Sequence, residues 1–205
     1  MPDLRGMRIL ITAGPTYEAI DPVRFIGNHS TGKMGAALAE VAAKAGATVD
    51  LVMGPSNIRT ENEAIMRIDV TSAQQMYDAC MDRFDGCDVA ILSAAVADFR
   101  PKNIAPQKIK KSQSGLTIEL EPTPDILASL GKMKTSQFVV GFALETDNAV
   151  TNATEKMMRK NADMIVLNSL QDAGAGFGHD TNRVSIIDRT GRVLTFGLKP
   201  KHDVA

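Results

Sequence analysis

Short, mainly apolar runs separated by stretches of helical periodicity narrow the folds open to this chain more than any other feature. Arg8–Ala13, Thr48–Met53, Ile65–Val70, Asp88–Ser93, Phe138–Phe142 and Met164–Leu167 are such runs, and several end at glycine or proline, as at Gly14-Pro15 and Gly54-Pro55. Runs this short and apolar suit strands buried on both faces of a parallel sheet. Between the first two, Met34, Ala37, Leu38, Val41, Ala42 and Ala45 recur at helical spacing and define one apolar face. Ser30 or Thr31 can cap that helix, and Gly46 can end it. A second helix is expected over 72–84, with Met76, Tyr77, Cys80, Met81 and Phe84 on its apolar side, and a third near 149–161. Strand–helix alternation predicts an α/β fold: an open, doubly wound, Rossmann-like sheet, mostly parallel, with helices on both faces and right-handed crossovers. Leu116–Leu120 reads as an added strand. Val184–Asp188 and Val193–Phe196, turned at Thr190-Gly191, read as a small added β-hairpin region. No repeat or low-complexity linker divides the chain, so residues 1–205 read as one domain.

Composition removes several functions. Lys plus Arg total 23 against 24 Asp plus Glu, a net charge of −1, which withdraws the bulk electrostatic case for nucleic-acid binding. Aromatic residues are only 4% with no Trp, too few for a base-stacking platform. Two cysteines, Cys80 and Cys87, make neither a disulfide framework nor a zinc site, and they suit a reducing cytoplasm. Neither a membrane-length apolar run nor a signal-peptide pattern is present in these residues. A cytoplasmic protein with no membrane partner is expected.

Gly27-Asn28-His29-Ser30-Thr31-Gly32-Lys33 fits GxxxxGK, but Met34 stands where a phosphate-binding P-loop needs a Ser or Thr hydroxyl. The motif is also separated from the first strand by a long connection. What survives is a small, polar approach to a helix N-terminus, a place that favours anions. The dinucleotide fingerprint G-x-G-x-x-G is absent, which argues against NAD or FAD. Ser93-Ala94-Ala95-Val96-Ala97-Asp98 carries small residues that let a ligand approach backbone, with Asp98 as an acceptor for hydroxyls or amides. Lys102, Lys108, Lys110 and Lys111, broken by Pro101 and Pro106 and followed by Ser112-Gln-Ser-Gly115, form a basic loop. Such a loop is either a solvated charge run or a lid over polyphosphate. Lys156 and Lys160, with Arg159 between them, make a second cationic face. No metal-ligand spacing joins the histidines and cysteines, and no G-x-S-x-G nucleophile signature is present. An enzyme built this way works by positioning and electrostatics. Two rivals stay open on residue chemistry: a P-loop-like phosphotransferase, and a non-catalytic nucleotide-binding domain.

Read in order, ITAGPT, DPVRFIGNHSTGKMG, AAVADFRP, KIKK, PTPDIL, VGFALET and KMMRKNADMIVLN resemble the phosphopantothenoylcysteine synthetases (phosphopantothenate–cysteine ligases), the synthetase half of a bacterial bifunctional coenzyme A biosynthesis protein. The resemblance runs from about residue 4 to 199. It implies an acid–amino acid ligase that forms a C–N bond. The 4′-phosphopantothenate carboxylate would attack CTP to give an acyl-cytidylate and pyrophosphate. L-cysteine would then displace CMP, with Mg²⁺ as cofactor. By resemblance, Asn28 and Lys108 are catalytic, and Asn28 donates its amide to the acyl intermediate and to the oxyanion. Ser93, Ala94, Asp98, Lys108, Pro124, Asp125, Ile126, Leu127, Phe142, Lys156 and Lys160 fall on nucleotide-binding positions. Asn28, Ala94, Ala95, Asp98 and Arg24 fall on the substrate site. Arg24 would reach the substrate phosphate from a neighbouring subunit, which implies a homodimer with shared sites. The resemblance also implies fusion to a flavin decarboxylase domain. PDLRG reads as a linker remnant of that fusion, and Lys201–Ala205 as the start of a longer helix.

Overall fold

A computed structural model describes residues 3–111, 115–145, 147–169 and 179–205. The apolar runs become β1 (Arg8–Ala13), β4 (Thr48–Met53), β5 (Ile65–Asp69), β6 (Val89–Leu92), β9 (Phe138–Glu145) and β10 (Met164–Ser169). All six are parallel to their neighbours in the order β5-β4-β1-β6-β9-β10. The chain winds outward from β1 to β5, crosses back to β6, and winds outward again. The point of reversal between β1 and β6 is where open α/β sheets leave a crevice at the strands' carboxyl ends. β12 (Val184–Asp188) and β13 (Val193–Thr195) continue this same sheet antiparallel beyond β10, so the expected hairpin extends the sheet.

One face of the sheet carries α1 (Lys33–Lys44), which packs over Ile9, Ile11, Val49 and Leu51. The other carries α2 (Ala73–Phe84), α3 (Ile126–Met133) and α4 (Ala149–Arg159) over Leu10, Val52, Val139, Ile165 and Leu167. Ser72 caps α2 in a reciprocal capping box with Gln75.

Several expectations are corrected. α1 buries Gly35, Ala36, Ala39, Ala42 and Ala43, whereas Met34, Ala37, Leu38, Val41 and Ala45 are only half-buried. Its smallest side chains face the sheet because the helix lies too close for larger ones: a Cβ on Gly35 would sit 2.4 Å from the Ala13 Cβ. Neither Ser30 nor Thr31 caps α1. The N-cap is Gly32 at φ 81°, a left-handed turn that glycine tolerates, and Ser30 Oγ instead accepts from the Gly32 N–H at 3.4 Å. The segment 116–119 is not a strand; pairing begins at β8 (Leu120–Pro122), which joins β7 (Phe99–Pro101) in a separate ribbon. A second ribbon, β2 (Tyr17–Ala19) with β3 (Phe25–Gly27), fills the connection read as a long loop. β11 (Thr181–Asn182) pairs with β14 (Lys199–Pro200), leading into the short turn of helix α5 (Lys201–Val204).

Candidate active site

The segment after β6 is laid along the continuation of β1. Ser93 Oγ donates to the Thr12 carbonyl at 2.6 Å, and the Ala94 N–H donates to Thr12 Oγ1 at 3.2 Å. The Ala95 N–H reaches the Gly14 carbonyl at 2.9 Å, and the Ala97 N–H reaches Thr16 Oγ1 at 3.0 Å. Thr12 and Thr16 are buried, so two threonines at the end of an apolar strand fix the path of the next one. Asn28 then bridges from β3: its Nδ2 donates to the carbonyls of Ala95 at 3.0 Å and Val96 at 3.2 Å. The amide expected to donate to an oxyanion is thus engaged with the backbone in this structure. Two carbonyl oxygens can only accept, so they hold the amide NH₂ and leave Oδ1 as the uncommitted end.

Above the crevice opens a cleft of about 830 Å³. Asn28, Ser93, Ala94, Ala95, Asp98, Pro124, Asp125, Ile126, Leu127, Phe142, Lys156 and Lys160 all line it. Lys108 and Arg24 do not. Lys108 is exposed, on a loop beside the β2–β3 ribbon, and Arg24 is paired with Asp21. Residues 112–114 of the basic loop and Thr146 of VGFALET lie outside the described residues.

α3 and α4 supply one wall. Asp125 Oδ1 caps α3 by accepting the Ala128 N–H at 2.9 Å, while Oδ2 takes an ion pair from Lys160 at the end of α4. Burial raises the Asp125 carboxyl, but the Lys160 hydrogen bond and the cap outweigh it, so the group stays below its ordinary range. Lys156 Nζ donates to the Phe142 carbonyl at 3.0 Å. The opposite wall is the start of α1, where Lys33 pairs with Asp180 at 2.5 Å.

Sequence reasoning missed the far end of the cleft: Asn168, Asn182 and Lys201. Asn182, 1% exposed, donates its amide to Asn168 Oδ1 at 3.1 Å. Lys201 donates to the His179 carbonyl, and burial together with the Lys33 charge lowers its pKa. An asparagine ending the strand run at Asn168 was the available signal; nothing local marks Asn182 or Lys201. Lys33, Lys156, Arg159, Lys160 and Lys201 line the cleft together with Asp98 and Asp125; even with Lys160 paired to Asp125 and Lys33 to Asp180, positive charge predominates, which suits a polyanion. Among the described residues no three His, Cys, Asp or Glu side chains gather to hold a metal, and no helix is long and apolar enough to cross a membrane.

Residues 4–205 match the DNA/pantothenate metabolism flavoprotein C-terminal domain. Over 202 residues the chain is 46% identical to the coenzyme A biosynthesis bifunctional protein CoaBC of Bacillus subtilis, covering 98% of this chain and 50% of that protein. It is 56% identical over 203 residues to a cysteine/cysteine sulfinic acid decarboxylase of an unknown prokaryotic organism, covering 98% of this chain and 56% of that protein. The chain thus spans about half the length of the curated relatives it matches. Among solved structures, the C-terminal domain of a CoaBC protein superposes with TM-score 0.83 at 45% identity, covering 98% of this chain and 91% of that one. A Cab2 variant in complex with phosphopantothenate-cysteine shares the fold, with TM-score 0.78 at 20% identity over 98% of this chain and 84% of that one.

Proposed function

This chain belongs to the family of DNA/pantothenate metabolism flavoprotein C-terminal domains, and we propose that its cleft ligates 4′-phosphopantothenate to L-cysteine at the expense of CTP. The observation that carries this reading is the cationic cleft at the sheet's reversal point, with Asn28 held over the backbone of Ala95 and Val96. In the first step a carboxylate oxygen of 4′-phosphopantothenate bonds to the α-phosphorus. The α–β phosphoanhydride bond breaks, and pyrophosphate leaves with its electron pair. In the second, the cysteine amine bonds to the acyl carbon, CMP departs, and the amine proton passes to solvent. A carboxylate is a poor acyl donor, so the protein's task is to neutralise and orient.

Lys156 and Lys160 face the triphosphate, and Pro124, Asp125, Ile126, Leu127 and Phe142 form the wall for the nucleoside. Ser93, Ala94 and Ala95 give the acyl group close backbone contact, and Asp98 accepts from ligand hydroxyls or amides. Asn28 meets the incoming amine with Oδ1, or turns an N–H to the oxyanion by releasing one loop carbonyl. Magnesium fits as the salt of CTP: Asp98 is the cleft carboxylate outside an ion pair among the described residues, and magnesium commonly takes one or two carboxylates plus substrate phosphates. When bound it withdraws charge from the phosphates undergoing displacement.

Exposed Val23, Phe25, Phe99, Ile104 and Leu120 lie on and beside the two ribbons flanking Arg24. In this reading they seat a second copy, and Arg24 serves the partner's cleft. A full-length homologue of this chain would carry a flavin decarboxylase domain alongside.

The test is pyrophosphate release from CTP, with ATP in parallel, with and without 4′-phosphopantothenate and cysteine. Release that requires 4′-phosphopantothenate, with amide product only when cysteine is present, is the expected result. Release from ATP but not CTP would replace the nucleotide, and binding without turnover would overturn the ligase reading.

A further inference from the structure

Arg24 and Lys108 lie outside the cleft, yet one buried carboxylate joins them. Asp21 is 2% exposed overall, and its side chain is fully buried. Oδ1 accepts the backbone N–H groups of Val23 at 2.8 Å and Arg24 at 2.9 Å, which closes the turn between β2 and β3. Oδ2 accepts from the Arg24 guanidinium, at Nε 3.0 Å and also from Nη2, and takes the Ile109 N–H at 3.0 Å. Arg24 Nη2 then donates back to the Ile109 carbonyl at 2.8 Å. Both backbone polar groups of Ile109, the residue following Lys108, are therefore held by the Asp21–Arg24 pair. A further bond, Ala105 N–H to the Ile20 carbonyl at 3.0 Å, ties the same loop to the same ribbon.

We propose that Asp21 is a positioning residue that clamps the Lys108 loop to the Arg24 ribbon, so that the two outlying cations are presented as one unit. This rests on the ligase reading for its catalytic consequence, but the clamp itself is a property of the fold. The observations favour it over simple turn closure. Turn closure needs only Oδ1 and the two nearby N–H groups, whereas Oδ2, besides pairing with Arg24, takes the N–H of a residue 88 positions away. A buried carboxylate takes such partners at the cost of desolvation, and it gives directional bonds to charged and backbone donors in return. The Arg24 hydrogen bond, ahead of those from Ile109, Val23 and Arg24 backbone, holds the Asp21 carboxyl well below its ordinary range, so it stays ionised wherever the protein is folded near neutrality.

Two variants separate the clamp from general damage. Asp21→Asn keeps the shape and removes the charge. Ile109→Pro removes the N–H by which the loop reaches Asp21 and leaves the bonds between Asp21 and its own turn in place. Ile109→Val keeps that N–H and serves as the control. Limited trypsinolysis after Lys110 and Lys111 reads the loop directly (cleavage after Lys108 is left out of the comparison, because trypsin does not cut a Lys–Pro bond), and single-turnover pyrophosphate formation reads its consequence. Loss of a hydrogen bond to a charged group should raise the cleavage rate by about tenfold or more in both Asp21→Asn and Ile109→Pro, because cleavage tracks the population of the released loop. In the same variants kcat of the first step should fall while KM for CTP stays near wild type, with Ile109→Val normal on both counts. Cleavage unchanged in Ile109→Pro overturns the clamp even if Asp21→Asn fails to fold. Faster cleavage with an undiminished first step overturns its positioning role. Should the wild-type chain form no pyrophosphate at all, the ligase reading falls, and the proteolysis comparison alone decides the clamp.

Discussion

Asn28 shows how far a side chain's type can be separated from its use. Motif and resemblance single it out, but its partners come from a loop 67 and 68 residues later, which no spacing within the motif announces. Asn28→Asp would set a carboxylate against the Ala95 and Val96 carbonyls, exchanging two attractions for repulsion. Pyrophosphate release should persist while amide formation drops by about 10²–10³-fold, the range seen when an oxyanion donor is lost. Mass spectrometry of the stalled acyl-cytidylate checks this, and full amide yield would remove Asn28 from the second step. The cysteines were readable in full: an apolar helix face and a strand entry predict buried thiols, and both are buried. Burial, with the neighbouring Cys87, pushes Cys80 up to about 12; burial, with Asp88, pushes Cys87 up to about 11. Native protein at pH 8 should therefore alkylate with iodoacetamide far more slowly than protein in denaturant, because roughly one thiol in 10³ or fewer is ionised. Equal rates would contradict the packing of α2.

The apolar pattern locates α1 along the chain but turns a different side of it toward the sheet, and the cause is distance. Hydrophobic pattern favours Met34, Leu38 and Val41, while the gap above β1 admits only glycine and alanine. A Cβ on Gly35 would also meet Ser93 Oγ at 2.7 Å and the Thr12 carbonyl at 3.0 Å, both parts of the cleft floor. Gly35→Ala should cost about 1–3 kcal/mol of stability as an overpacked contact and weaken nucleotide binding as α1 moves off the sheet. Paired thermal-melt and CTP titrations read the two effects, and a variant that melts and binds like wild type would contradict the close approach. α3 is not legible as a helix because PTPDIL is short and polar at its start, and Asp125 before an apolar pair is its one local cap signal. The ribbons β2–β3 and β7–β8 escaped for a different reason. Their strands are three residues long and mostly exposed or half-buried, so they lack the long two-sided burial that makes the parallel strands stand out.

For the whole molecule, carboxylates govern the response to acid. The carboxyls of Asp21, Asp125, Asp180 and Asp188 all lie below their ordinary range in the folded chain, held mainly by Arg24, by Lys160 against burial, by Lys33 and by Thr190. A depressed folded-state pKa means the unfolded chain binds protons first, so the stability these groups confer is present above the unfolded value and lost as pH falls through the folded ones. The melting temperature should therefore hold from neutrality to about pH 5 and decline below about pH 4, near the unperturbed carboxylate range. A flat profile to pH 3 would show that these pairs carry no net weight. Phe25→Glu on the exposed ribbon should yield a monomer by sedimentation velocity and, if Arg24 serves across the dimer, abolish ligation; an intact dimer would move the interface elsewhere. The sheet order has a consequence for synthesis. β1 is complete at residue 13 but gains its second neighbour only when Val89–Leu92 emerge, and β6 waits in turn for Phe138. At ribosomal rates of about 5–20 residues per second, an apolar strand edge stays open on the order of seconds on every nascent chain. The cleft reaches from Thr12 to Lys201, so no ligand can hasten that passage: substrate can steady the finished protein but cannot help to make it.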